Sequence, residues 1–152
     1  LQHGGNVEES RMARLGGDFA MLVLASVEGE QLKSLEASLR GLDREGMQAF
    51  TRETDKGGAV SYDGWVPYRV SVTGADHEGI VNAVSHLLAE KNINVEEMET
   101  AAAAAPMSGT ILFSMRAVVV VPPGLPYHDW TQGLEDVADE MNLTVDVTPY
   151  TV

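Results

Sequence analysis

A chain of 152 residues with 44% hydrophobic content is one ordinary domain or two small ones with a buried core, which excludes wholesale disorder. Its 23 acidic and 10 basic residues leave a net charge of −13, so no basic cluster is present to displace counterions from phosphates, and direct nucleic-acid binding is not expected. Cysteine is absent, which removes disulfides, thiolate catalysis and cysteine metal sites in one step.

No apolar run reaches the ~18 residues of a membrane span. Arg11 and Asp18 interrupt any early apolar region, so no signal peptide is read. The expectation is a soluble, cytoplasmic protein.

In chain order, residues 1–3 read as a helix end stopped by Gly4-Gly5, and a strand follows through Ser10 to Leu15. Gly16-Gly17 makes a tight turn into the apolar strand of Phe19, Met21, Leu22, Val23 and Leu24. Leu32, Leu35, Leu39 and Leu42 then recur at helical spacing with charged residues between them, and Gly46 ends that helix. Residues 47–54 read as a short strand and residues 55–65 as a linker rich in turn residues.

Beyond the linker, Val66, Tyr68, Val70 and Val72 alternate with Pro67, Arg69, Ser71 and Thr73, a half-buried strand. The turn Gly74-Ala75-Asp76-His77-Glu78-Gly79 leads into a helix marked by Ile80, Val81, Val84, Leu87 and Leu88, with Asp76 as its expected cap and Asn92-Ile93 as its close. A strand from Asn94 fades into the alanines at 101–105, where Pro106 breaks it. Gly109 turns the chain into a long strand rich in β-branched residues that stops at Pro122-Pro123-Gly124. Residues 117–121 are too apolar for a sheet with one exposed face, so a second sheet is expected over them. Trp130, Leu134, Val137 and Met141 mark a last helix, with Asp129 as its expected cap, and residues 143–150 a last strand.

Asn-Val-Glu-Glu occurs at Asn6-Val7-Glu8-Glu9 and again at Asn94-Val95-Glu96-Glu97. Each copy follows a helix end, runs into a strand, reaches a glycine turn and continues as strand, helix and strand, so the order of elements repeats with the letters. The second copy reads β-α-β-β-α-β, the split βαβ or ferredoxin-like arrangement. The first reads as the same unit from the tail of its first helix. The expected class is therefore α+β, two ferredoxin-like units in tandem, the first lacking its first strand and most of its first helix. The units are placed at residues 1–54 and 66–152, and the chain is expected to begin partway into its first unit.

The run from Asn6 through Arg14-Leu15-Gly16-Gly17-Asp18-Phe19 resembles the second-to-third strand segment of the glycine-cleavage-system transcriptional repressors, which are tandem ACT-domain proteins. Ala75-Asp76-His77-Glu78-Gly79-Ile80-Val81, followed by Asn92-Ile93-Asn94-Val95, looks like an ACT domain's loop, first helix and second strand. The resemblance implies a sensor of amino acids, with glycine or serine as first guesses. It also implies a homodimer and a protein partner such as a transcription factor. Glu78 stands where ACT loops often carry proline, and the first unit's loop is missing from the chain.

Physically, the start of a helix offers unpaired N–H groups and partial positive charge to a ligand carboxylate. Gly79 lets a ligand approach the backbone, Asp76 and Glu78 suit an ammonium group, and His77 donates or accepts according to its protonation. Asp76, His77, Glu78, Gly79 and Ile80 are the candidate ligand-binding residues, with Asn94 and Val95 as a second wall. The same residues also fit a plain helix cap and a tight packing turn, which leaves an assembly module without a ligand as the alternative. A small enzyme using Asp76 and His77 is the remote one, since no second catalytic group accompanies them.

His77 and His86 lie nine apart, which is no ligand spacing, and no nucleophile elbow or phosphate loop is present. Catalytic residues, metal ligands and cofactors are all read as none.

Overall fold

The computed structural model describes residues 4–42, 46–54, 62–106 and 108–151. The chain divides into two compact units, Leu1–Ala59 and Val60–Val152.

In the first unit, β1 (Asn6–Leu15) and β2 (Asp18–Ser26) pair antiparallel. The hairpin turns at Gly16 and Gly17, whose φ values of 61° and 101° place both in the region that favours glycine. α1 (Gly29–Gly41) follows, with Leu32, Leu35 and Leu39 half-buried along one side and Arg40 paired to Glu36 one turn back at 3.7 Å. The short strand expected over 47–54 does not form. Among the described residues, those at 47–54 have no neighbouring strand to complete a ladder, and an isolated segment does not hold a strand. The helix end at residues 1–3 and the turn at 55–58 lie outside the described residues.

The second unit runs β3 (Val66–Ala75), α2 (Ile80–Glu90), β4 (Asn94–Ala104), β5 (Ile111–Val121), α3 (Tyr127–Glu140) and β6 (Leu143–Pro149). Its sheet has the order β4-β5-β3-β6 with every neighbouring pair antiparallel, so the first strand is central, beside the third and fourth. This is the split βαβ arrangement expected from the element order. β4 does not fade at its alanines, because Ala101 to Ala104 stay paired with Ser114 to Ile111 of β5 and pairing overrides weak strand propensity.

The core lies on one face of this sheet. Val70, Val72, Met115, Ala117 and Val119 meet Ile80, Val84 and Leu88 of α2 and Trp130 and Leu134 of α3. Gly133 permits close approach of the two helices, since a Cβ there would stand 2.8 Å from Leu87. Trp130 is fully buried with Tyr68 and Tyr127 edge-on to it, at centroid distances of 5.2 and 5.8 Å. On the opposite face, Val118 and Val120 are only half-buried.

The repeated tetrapeptide has a structural counterpart. In β1 the register shifts between Val7 and Glu9, and in β4 it shifts between Val95 and Glu97, so Glu8 and Glu96 are the extra residues of matching bulges. In each, the asparagine two residues earlier donates to the bulged glutamate, Asn6 to Glu8 at 3.0 Å and Asn94 to Glu96 at 2.5 Å. Aligning the bulges sets Phe19 against Phe113 and Met21 against Met115. Phe113 and Met115 are buried beneath the helices, whereas Phe19 and Met21 are exposed.

Candidate functional site

β3 leaves the sheet beside β6, where Gly74 pairs with Leu143. A Cβ on Gly74 would lie 2.6 Å from the Leu143 side chain and 3.2 Å from the Asn142 carbonyl, so glycine is required there by space. The Asp76 N–H donates to the Ile111 carbonyl at 2.9 Å, carrying the ladder one step past Ala75. The chain then swings out through His77 and Glu78 and enters α2 at Gly79, whose φ of 93° is left-handed.

Gly79 is the N-cap of α2, and no side chain caps that helix. Asp76 therefore does not serve as the expected cap, because the residue that turns into the helix stands three positions after it. The first helical bond is from the Ala83 N–H to the Gly79 carbonyl, at 2.9 Å. The N–H groups of Ile80, Val81 and Asn82 precede it without a side-chain acceptor among the described residues, a concentration of donors and partial positive charge. Asp76 and Glu78 are exposed on the approach to them. The Ile80 side chain is core, so only its backbone is available to a ligand.

His77 is committed to the protein. Its Nε2 lies 3.0 Å from the Met141 carbonyl and its Nδ1 lies 3.2 Å from the Glu78 carbonyl. A neutral imidazole donates from one nitrogen only, so two carbonyl partners favour the imidazolium. The Met141 contact and then the Glu78 contact hold the His77 pKa above its ordinary 6.5, against an opposing effect of desolvation, with the nearby Asp76 charge the smallest contribution. Met141 is the C-cap of α3, where the helix dipole also favours a cation.

The structure brings Asp76, His77, Glu78, Gly79 and Ile80 together and leaves Asn94 and Val95 elsewhere. Asn94 pairs with Val120, which pairs in turn with Pro67, near the start of β3. Gly74 is seven residues further along β3, which at ~3.4 Å per residue is roughly 24 Å away. Asn94 and Val95 do not wall this loop in the same copy, and the Asn94 amide is turned to Glu96.

Met141 escapes a reading of the sequence alone. The signal for it is topological: once β6 pairs with β3, the turn between α3 and β6 must arrive beside the loop that follows β3. Asp129 likewise does not cap α3, whose N-cap is Pro126. It sits in the first turn, where its charge complements the dipole. Among the described residues, no group of three His, Asp or Glu is placed to hold a metal.

Residues 1–51 match the family model of the ACT domain. The chain is 34% identical to an unknown protein from Galdieria sulphuraria, with a TM-score of 0.71 over 99% of this chain and 85% of that one. A candidate glycine cleavage system transcriptional repressor is 18% identical with a TM-score of 0.70, over 99% of this chain and 84% of that one, a likeness of fold. No curated protein matches the chain.

Proposed function

We propose, from the premise that this chain belongs to the ACT-domain family, that it is an amino-acid-responsive regulatory protein whose ligand sits at the loop between β3 and α2. The observation that carries this reading is the uncapped start of α2 beside two exposed carboxylates. The N–H groups of Ile80, Val81 and Asn82 receive the ligand carboxylate, and Asp76 or Glu78 receives its ammonium group. His77 positions the loop and does not take protons from a substrate. With both ring nitrogens on carbonyl oxygens it has no lone pair to offer a substrate, which speaks against an enzyme.

In this reading the chain acts through a protein partner, as its acidity disfavours direct contact with nucleic acid. The tandem units are residues 1–54 and 66–152, the working form is a homodimer, and the compartment is the cytoplasm. No helix among the described residues is long and apolar enough to cross a membrane. Control of glycine-cleavage genes is the specific role we propose, and the likeness of fold to the candidate repressor supports it.

Calorimetric titration with glycine and then serine tests the proposal. Saturable binding lost in Gly79→Val and retained in Glu135→Gln, a change on the exposed part of α3, is expected. Absence of heat with every amino acid would sink the sensor and leave the assembly module as the reading.

A further inference from the structure

The face of the second unit's sheet opposite its helices carries charge in a fixed order: Glu97 and Glu99 on β4, Arg116 on β5, Arg69 on β3 and Asp146 on β6. The register places Glu97, Val118 and Arg69 in one row, with Glu99 and Arg116 side by side in the next. Valine is short among these neighbours, so the surface sinks over it into a depression of about 230 Å³ walled by the four charged side chains and Tyr150. Strands lie ~4.8 Å apart, which sets Glu97 and Arg69 roughly 10 Å from each other across Val118.

Two features mark the depression as more than a solvated strand face. Arg69 is held in place, its guanidinium carbon 5.0 Å above the Tyr150 ring while the Tyr150 N–H donates to the Pro67 carbonyl at 3.0 Å. Glu99 and Arg116 stand directly opposite each other, yet among the described residues neither they nor Glu97 and Arg69 form an ion pair. Two acids and two bases thus surround one apolar floor with their charges unspent.

A second copy centred on the sheet does not satisfy them. A two-fold axis along the strands between β5 and β3 would lay Glu99 over Asp146 of the other copy and bring the two arginine strands together. An axis across the strands would lay β4 on β4, glutamate on glutamate. Self-docking about either of these axes stacks like charge on like charge.

We propose that this depression is a second small-molecule site, distinct from the loop before α2, and that it takes an α-amino acid with an apolar side chain. The carboxylate lies between Arg116 and Arg69, the ammonium group lies at Glu97 and Glu99, and the side chain rests on Val118. This site does not depend on the loop reading, since the two share no residue.

Methyl NMR of the full chain titrated with L-leucine tests it, with isoamylamine and 4-methylpentanoate as analogues that each keep one charge. The expected result is a saturable shift of the Val118 methyls with leucine and none with either analogue at the same concentration. Arg116→Gln should weaken that response about tenfold or more, the worth of one charge-assisted contact, while Glu135→Gln leaves it unchanged. Shifts confined to residues 76–82, or equal responses to the single-charge analogues, would overturn the proposal without touching the loop site. So would self-association that Arg116→Gln disperses, with no leucine response, and that outcome would assign the face to another copy.

Discussion

His77 and Met141 lie 64 residues apart in sequence, and the ring Nε2 of one meets the backbone carbonyl of the other at 3.0 Å. The contact ties the loop before α2 to the end of α3, so the two edges of the candidate site are held by one titratable ring. Because the folded pKa of His77 is raised above 6.5, the stability it contributes is fully present below that pH. It is lost as pH rises through the raised folded value. We expect the urea midpoint to fall between pH 6 and pH 9, with a shallower fall in His77→Gln. His86, whose Nε2 lies 3.3 Å from Glu90, is the histidine to control for with His86→Gln. An identical pH profile in His77→Gln and the parent would show that the tie contributes nothing.

Gly79 separates conformation from space. Its φ of 93° is left-handed, yet a Cβ there would meet only the end of Met141, at 3.8 Å. The cost of Gly79→Ala is then backbone strain alone, about 1–2 kcal/mol. Gly79→Asn should cost less, since asparagine tolerates the left-handed region better. Equal midpoints for the two variants in urea would mean that strain is not what selects glycine.

Much of this fold was legible in the residues. The alternation from Val66 to Thr73, the helical stripe of Ile80, Val84 and Leu88, and the repeated Asn-Val-Glu-Glu mark the elements where they form. The repeat is legible because the same bulge and the same asparagine-to-glutamate hydrogen bond need the same letters. What failed was the step from sequence nearness to spatial nearness. A helix that follows a strand carries the chain back along the sheet, so Asn94 begins its strand at the end from which β3 sets out. The same topology hides Met141, whose approach to His77 depends on β6 pairing with β3 and not on any local pattern. The caps were missed for a local reason: a left-handed glycine or a proline enters each helix, and neither leaves an aspartate at the capping position.

Gly74 presents the opposite case to Gly79. Its φ is unremarkable, but a Cβ would press on the Leu143 methyl at 2.6 Å and on the Asn142 and Leu143 backbone at 3.2 and 3.3 Å. The methyl can rotate away, while the backbone of β6 cannot move without loosening its ladder. Gly74→Ala should therefore destabilise by about 1–3 kcal/mol, the usual cost of overpacking. Adding Leu143→Ala should return only part of it, because the backbone clash remains. Full recovery in the double variant, read from urea unfolding, would assign the whole cost to the side chain.

Trp130 has no exposed surface, and its indole N–H is buried without a hydrogen-bond partner among the described residues. The Tyr68 and Tyr127 rings stand edge-on nearby, and the Tyr127 hydroxyl is directed instead to the Val147 carbonyl at 3.3 Å. A buried N–H left this way forfeits stability that the ring's packing must offset. Trp130→Phe therefore removes volume but also relieves an unpaired donor, and should cost clearly less than Trp130→Ala, for which about 3–5 kcal/mol is expected. Chemical denaturation of both variants, followed by far-UV circular dichroism because the core fluorophore is lost and only Trp65 remains, measures the difference. If Trp130→Phe proves as damaging as Trp130→Ala, the indole N–H is satisfied by an aromatic face or an enclosed water, and the ring is held by more than its shape.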